Sequence, residues 1–327
     1  MKERCSPKSA LRKCRCVIIG DEDEAQAITR FLAAYPFFDV VRFTNPHGGG
    51  TDVSGEGKKL SSIIASYQIN EIIVGETAVL DHGTRDVLVR CREQGVAVTP
   101  FFLLYENLAR RTPVDFIGER WQHLVYLDNT QGHRIYSVFK RVFDITGAAL
   151  GLVVFGLFFP FIALAIKLDS RGPFFYHQVR AGKGGRPLRI RKLRTMAADA
   201  EQHEDLWSNH HDPRVTRVGR WLRKTRLDEV PQCWNILKGE MSIVGPRPER
   251  LNVIEKLEKE FPFYRLRHIA KPGLAGWAMV NRGYMCSFED AKERLEYDLY
   301  YVKHRSLRFD ALIFFRAFWH LITMKGV

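Results

Sequence analysis

Several signatures are missing from this sequence. No Gly-x-Gly-x-x-Gly turn occurs, which argues against a dinucleotide-binding βαβ unit. No glycine-rich loop ends in Lys-Ser or Lys-Thr, so Gly48-Gly-Gly-Thr-Asp-Val-Ser-Gly-Glu-Gly57 reads as a flexible connection and not as a phosphate loop. The six cysteines, at 5, 14, 16, 91, 233 and 286, are scattered. Cys14-x-Cys16 is too close for the usual zinc pair and no second pair follows, so reduced thiols in a cytoplasmic compartment are expected. Val17-Ile18-Ile19 is too short for the apolar core of a signal peptide, so no leader is expected. Acids are outnumbered, 37 against 50 Lys and Arg. The resulting charge of +13 implies an anionic partner: nucleic acid, an acidic membrane surface or phosphorylated substrates.

What is present is enough apolar and aromatic material for packed cores, and a length of 327 residues that suggests two domains. Across 14–127 strand and helix signals alternate. Cys16–Ile19, Val40–Phe43, Glu71–Val74 and Val96–Val98 read as strands, with Leu124–Tyr126 as a fifth. Glu24–Tyr35, Leu60–Tyr67 and Thr84–Gln94 read as helices. The alternation predicts an α/β chain that begins with a Rossmann-like parallel sheet. The first turn, Gly20-Asp-Glu-Asp-Glu-Ala25, holds four acids that would repel a pyrophosphate.

Asp128–Gly132 is polar and reads as a linker, dividing the chain into domains 1–130 and 131–327. Ile145–Ile166 then runs for 22 residues without a charge, long enough to span a bilayer. Pro160 should break or kink that helix. Lys140 and Arg141 precede it and Lys167 and Arg171 follow, and basic flanks at both ends suit a segment that dips in and returns. A spanning helix and a buried soluble helix are the other two readings. Residues 171–226 hold fourteen Lys and Arg against five Asp and Glu, so this segment supplies +9 of the +13. Arg214, Arg217, Arg220 and Arg223 recur at every third position, which lines cations along one side of a helix. Anionic headgroups suit such a face. Nucleic acid is disfavoured, because no base-stacking aromatics accompany the arginines.

The chemistry concentrates in 223–248. Pro231 is tolerated only in the first turn of a helix, so a helix is predicted from about Asp228 to Lys238, with Gly239 as its stop. Asp228 then sits at the positive end of the helix dipole. The spacing puts Asp228, Gln232 and Asn235 on one face, and Val230, Cys233, Trp234, Ile236 and Leu237 on an opposite core face. A plain helix cap is the simple reading of Asp228. The sharper reading is that Asp228 and Glu229 hold a divalent cation or attack a phosphorus. Gly245-Pro246-Arg247-Pro248 favours the second, because the two prolines present the Arg247 guanidinium in a preset direction suited to phosphate. Downstream, Leu251–Phe261 reads as a helix and Pro272-Gly273 as a type II turn. Phe309–Met324 reads either as an interfacial helix carrying Phe314, Phe318 and Trp319 or as a core helix.

From Lys140 to about His320 the chain resembles the bacterial sugar transferase family, the monotopic phosphoglycosyl transferases. The resemblance rests on Lys-Arg-Val-Phe-Asp (140–144), Lys-Leu-Arg-Thr-Met (192–196), Leu-Asp-Glu (227–229), Leu-Lys-Gly-Glu-Met-Ser-Ile-Val-Gly-Pro-Arg-Pro (237–248), Lys-Pro-Gly-Leu-Ala-Gly-Trp-Ala (271–278) and Tyr-Asp-Leu-Tyr-Tyr-Val (297–302), in family order. The sequence departs at Asn281-Arg282-Gly283, where Asn-Gly-Arg is usual, so no role passes to Arg282.

That resemblance implies a mainly α-helical, membrane-embedded catalytic domain with a re-entrant helix-break-helix over about 136–168. A non-catalytic Rossmann-like domain precedes it; larger members carry several transmembrane helices ahead of that domain, and this sequence has none. It also implies transfer of a sugar-1-phosphate from a UDP-sugar to a polyprenyl (undecaprenyl) phosphate, releasing UMP, at the cytoplasmic face of the bacterial inner membrane. This would be the first membrane step of exopolysaccharide or other glycoconjugate synthesis. Asp228 would be the nucleophile, and Glu229 would bind metal or assist proton transfer. Mg²⁺ would sit on Asp228 and Glu229, while Arg223 and Arg247 neutralise the diphosphate. Lys192, Thr195, Gln232 and Asn235 complete the expected substrate contacts; the 271–277 loop would place Trp277 or Lys271 near the nucleotide, or serve structure alone, and Asp298 would help bind metal or support an arginine. UDP-sugar, polyprenyl phosphate and membrane lipids are the expected partners, nucleic acid is not, and a homodimer is allowed. The rival readings are a membrane-bound nucleotide-sugar-binding or adaptor protein without transferase activity, and a nucleotide-sugar-modifying enzyme built on the N-terminal sheet.

Overall fold

A computed structural model describes residues 13–42, 56–78, 80–116, 133–197, 213–261, 263–282 and 287–323. The chain divides into two compact units, 1–121 and 122–327.

In the first unit, strands β1 (Cys14–Ile19), β2 (Phe38–Arg42), β3 (Glu71–Val74) and β4 (Ala97–Pro100) form one parallel sheet in the order β2-β1-β3-β4. Helices α1 (Glu22–Leu32), α2 (Glu56–Tyr67), α3 (His82–Glu93) and α4 (Phe101–Ala109) follow the strands in turn. The last four residues of β1 are fully buried, as a central parallel strand covered on both faces must be. Ile18 and Ile73 pack with α1 and α4, whereas Val17, Ile19 and Ile72 pack with α2 and α3. The strand expected at Leu124–Tyr126, and most of the Gly48–Gly57 connection, lie outside the described residues.

The crevice beyond the ends of β1 and β3 is where a doubly wound sheet holds an anion. Here Glu24, from the first turn of α1, accepts hydrogen bonds from the backbone N–H groups of Glu76 (2.7 Å) and Thr77 (3.0 Å) and from the Thr77 hydroxyl. A carboxylate of the chain itself takes the donors that a phosphate would need.

The second unit is organised by α5 (His133–Asp169), a helix of 37 residues. The expected helix-break-helix over 136–168 is corrected: the backbone stays helical through Pro160. Proline removes one i→i−4 bond but leaves the rest of the ladder, so a helix held along its length tolerates it without ending. Residues at helical spacing on one face, among them Tyr136, Asp144, Ala148, Ile162 and Ile166, turn into the unit. The other faces are apolar and open, with Leu157 69%, Phe161 73% and Leu168 80% exposed. The helix is long and apolar enough to cross a membrane, and it is not a buried core helix.

Both ends of α5 are moored to the same unit. Near the start, Lys140 pairs with Asp310 at 2.8 Å, and Arg141 donates to the carbonyls of Ile236 and Leu237, each at 2.6 Å. At the finish, Asp169 accepts from the Val218 N–H at 2.8 Å, and Arg194 donates to the carbonyls of Ser170 and Arg171.

A hairpin of β5 (Phe175–Ala181) and β6 (Pro187–Leu193) follows, then α6 (Arg217–Lys224). A 3-10 segment (Leu227–Gln232) runs directly into α7 (Cys233–Lys238), and β7 (Ser242–Val244) pairs in parallel with β8 (Gly273–Ala275). Helices α8 (Leu251–Glu260), α9 (Trp277–Asn281), α10 (Phe288–His304) and α11 (Leu307–Ile322) complete the unit around a core that includes Ile190, Ile236, Val244, Trp277 and Tyr301. The type II turn expected at Pro272-Gly273 is absent. Gly273 is a strand residue without positive φ, and a methyl on it would collide with the backbone of Gly245. The glycine is there for close approach, and it welds the 237–248 and 271–278 motifs into one element. Helix α11 has two faces: Asp310 and Ile313 are buried in the core, while Phe315, Phe318 and Trp319 are exposed; Phe314 lies half-buried against Phe143.

Candidate active site

The two carboxylates stand on a tight turn. Arg226 takes φ +55°, a left-handed conformation uncommon for a residue with a Cβ, and the chain then enters the 3-10 segment instead of the α-turn expected from Asp228. Gly239 closes α7 in the left-handed region, as expected. In a 3-10 turn residues i and i+3 eclipse, so Gln232 follows Glu229 and not Asp228. Asn235 parts from the pair altogether: its Nδ2 donates to the Arg189 carbonyl (2.9 Å) and to Glu240 (2.7 Å). The shared face of Asp228, Gln232 and Asn235 is therefore corrected. Trp234, expected in the core, is 47% exposed.

Asp228 and Glu229 are both buried, and their surroundings push them apart. Glu229 Oε1 accepts from Lys192 Nζ at 2.7 Å and from Arg247 at 3.2 Å. Burial opposes its ionisation, but Lys192 and Arg247 hold it well below the usual carboxylate range. Asp228 is lifted to about 6, first by burial and then by the Glu229 charge, against Lys192, Arg226 and Arg223. Its Oδ1 is buried with no hydrogen-bond partner. A desolvated carboxylate oxygen without a donor is costly, and it is a lone pair open to react or to ligate.

The cations come from three further segments. Lys192 is the penultimate residue of β6, and burial draws its ammonium down while Glu229 resists. Arg223, on the last turn of α6, donates from Nε to the Thr195 hydroxyl at 2.9 Å. Gly219 lets α6 lie directly on the Thr195 backbone, where a methyl would collide. Arg217 and Arg220 on the same helix are exposed, and Arg214 precedes the helix, so the three-residue spacing does not make one continuous row.

Arg247 is held from behind. Its carbonyl accepts from Arg267 at 3.0 Å, and Arg267 is clamped by Asp298 Oδ2 at 2.6 Å and 3.0 Å and by the Tyr264 hydroxyl at 2.8 Å. Asp298 thus supports an arginine. Arg267 was not singled out in the sequence; the only signal was an arginine ahead of the Lys-Pro-Gly loop, with nothing local to show it is fully buried. Glu249 forms a second buried pair with Arg294 at 3.0 Å. Trp277 lies in the core, edge-on to Phe309 and under the Arg316 guanidinium. Lys271 is half-buried and lines a separate groove with Lys183 and His268.

Among the described residues no three His, Cys, Asp or Glu side chains converge as a metal cage. Mg²⁺ does not need one, since it is usually bound by one or two carboxylates together with substrate phosphates and waters. Asp228, whose buried Oδ1 has no hydrogen-bond partner, with Glu229 next to it in the chain, fits such an ion. A buried nucleophilic or ligating carboxylate facing several cations is suited to phosphoryl chemistry.

Residues 135–324 match the model of the family described as bacterial sugar transferase. Among curated proteins, the chain is 39% identical over 239 residues to a UDP-N-acetylgalactosamine-undecaprenyl-phosphate N-acetylgalactosaminephosphotransferase of Aeromonas hydrophila, covering 73% of this chain and 55% of that one. It is 40% identical over 205 residues to a UDP-glucose:undecaprenyl-phosphate glucose-1-phosphate transferase of Escherichia coli, covering 62% and 43%. A protein of the same description from Xanthomonas campestris pv. campestris is 38% identical over 322 residues, covering 91% and 64%. The chain spans about half the length of the first two of these relatives.

Proposed function

The chain belongs to the bacterial sugar transferase family, and from that premise we propose that it moves a sugar-1-phosphate from a UDP-sugar to a polyprenyl phosphate, releasing UMP. The observation that carries the mechanism is the asymmetry of the acid pair: Glu229 is held through one oxygen by Lys192 and Arg247, while Asp228 keeps an oxygen without a partner. Asp228 attacks the phosphorus that bears the sugar, and the bond from that phosphorus to the bridging oxygen breaks. UMP leaves with the electron pair. A phosphate oxygen of the lipid acceptor then attacks the same phosphorus and expels Asp228, giving a polyprenyl diphosphate sugar. Arg223 and Arg247 meet the diphosphate charge, and Lys192 keeps Glu229 ionised. Mg²⁺ held by Asp228 and Glu229 would supply further neutralisation of the phosphate oxygens.

Membrane placement belongs to the same proposal. The apolar open faces of α5 and the exposed aromatics of α11 support burial in a bilayer. Attachment of both ends of α5 to one strongly charged unit supports a monotopic placement on one side of the bilayer, the cytoplasmic face of the inner membrane. The chemical test is mass spectrometry of the protein mixed with UDP-sugar alone. A phosphosugar adduct on Asp228 is expected, and none should form in Asp228→Asn. Turnover with no adduct would leave a direct transfer in its place.

A further inference from the structure

Resting on that reading, we propose that the groove between α5 and α6 holds the hydrocarbon chain of the lipid acceptor. The groove, of about 400 Å³, is lined by Ile162 and Ala165 of α5 and by Arg217, Val218, Trp221 and Leu222 of α6. Five of those six side chains are apolar. Ile162 and Leu222 form a buried floor, whereas Trp221 is 53% exposed at the rim. The α5 wall continues into the open apolar faces of that helix, so a chain arriving from a bilayer can follow an apolar wall into the groove.

The other end of α6 explains which chain it is. Two residues after Trp221 the helix presents Arg223, bonded to Thr195, and the chain then turns through Arg226 to Asp228. From Val218 to Lys224 is about 9 Å along the helix. One short element therefore passes from an oily wall to the cations that face the reacting carboxylate. That order matches a ligand whose apolar chain is joined directly to a phosphate: the phosphate at Asp228, the first chain units along Val218 and Trp221. A nucleotide has no use for the groove, and an uncharged lipid has none for the arginines.

The test compares KM for two acceptors with the same phosphate, one long-chain polyprenyl phosphate and one short acceptor with a single methyl group in place of the chain, using the full chain in detergent micelles and a fixed UDP-sugar. Ala165→Leu narrows the groove and Trp221→Ala removes its rim; Trp221 is exposed, so that variant keeps its fold. Either change should raise KM for the long acceptor about tenfold and leave KM for the short one in place. Leu164→Ala, on the open side of α5, should match wild type for both. Equal changes for both acceptors would mean a packing defect or an ordinary phospholipid in the groove, and would overturn the proposal. So would an unchanged KM for the long acceptor in variants that turn over. Absence of UMP release by wild type with any acceptor would instead count against the transferase reading itself.

Discussion

Asp228→Asn should make the protein more stable while abolishing its chemistry. The carboxyl is nine-tenths buried, lacks a partner for Oδ1 and is lifted from 3.8 to about 6, chiefly by burial and then by Glu229. Below pH 3.8 it is protonated in both the folded and the unfolded chain and costs nothing. Above about 6 it is charged in both, and the folded chain carries the whole penalty. Stability of the wild type therefore falls as pH rises through that window. About two pK units at ~1.4 kcal/mol each set the penalty at no more than about 3 kcal/mol. An uncharged asparagine of the same shape escapes it. For a unit of this size that is a rise in Tm of up to about 10 °C at pH 7.5, shrinking to nothing near pH 4. Thermal unfolding of both proteins in the same detergent, at half-unit pH steps, measures it. A lower Tm for the variant at pH 7.5, or a gain that does not change with pH, would refute the reasoning.

Three further outcomes are expected. Glu229→Gln removes the second cause of the raised Asp228 value and frees two cations beside it, so the acid limb of the pH profile of kcat/KM should move to lower pH. Arg267→Met leaves Asp298 charged and buried without its partner, a loss of about 3–5 kcal/mol in denaturation, and it releases the Arg247 carbonyl, so KM for the UDP-sugar should rise in whatever folds. Gly245→Ala drives a methyl into the Lys271 carbonyl and should abolish folded protein, whereas Gly156→Ala meets no atom within 4 Å and should be neutral or slightly stabilising by chemical unfolding.

Much of this architecture could be read from residue order, and the exceptions share a cause. Apolar runs separated by amphipathic helices specified the parallel sheet, because a strand covered on both faces has only one composition open to it. Lys192, Thr195, Arg223, Glu229 and Arg247 do come together, through segments far apart in the chain. What escaped was set by tertiary packing. The choice between 3-10 and α at Leu227–Gln232 turns on a left-handed Arg226, and it sends Asn235 to a strand carbonyl. Pro160 reads as a break, yet contacts along the length of α5 carry the helix past it. Arg267 is invisible as a support because neither Asp298 nor Arg247 is near it in sequence. Glu24 looked like repulsion toward a ligand and proved to be a substitute for one.

The mooring of α5 at both termini also bears on how the molecule is made. Asp169 and Lys140 are fastened to partners within the same unit, so neither charge is left unpaired beside the apolar stretch of α5. On the proposed placement, the rest of the unit would fold first and α5 would then enter the nearer leaflet, driven by the apolar area that its open faces hide from water.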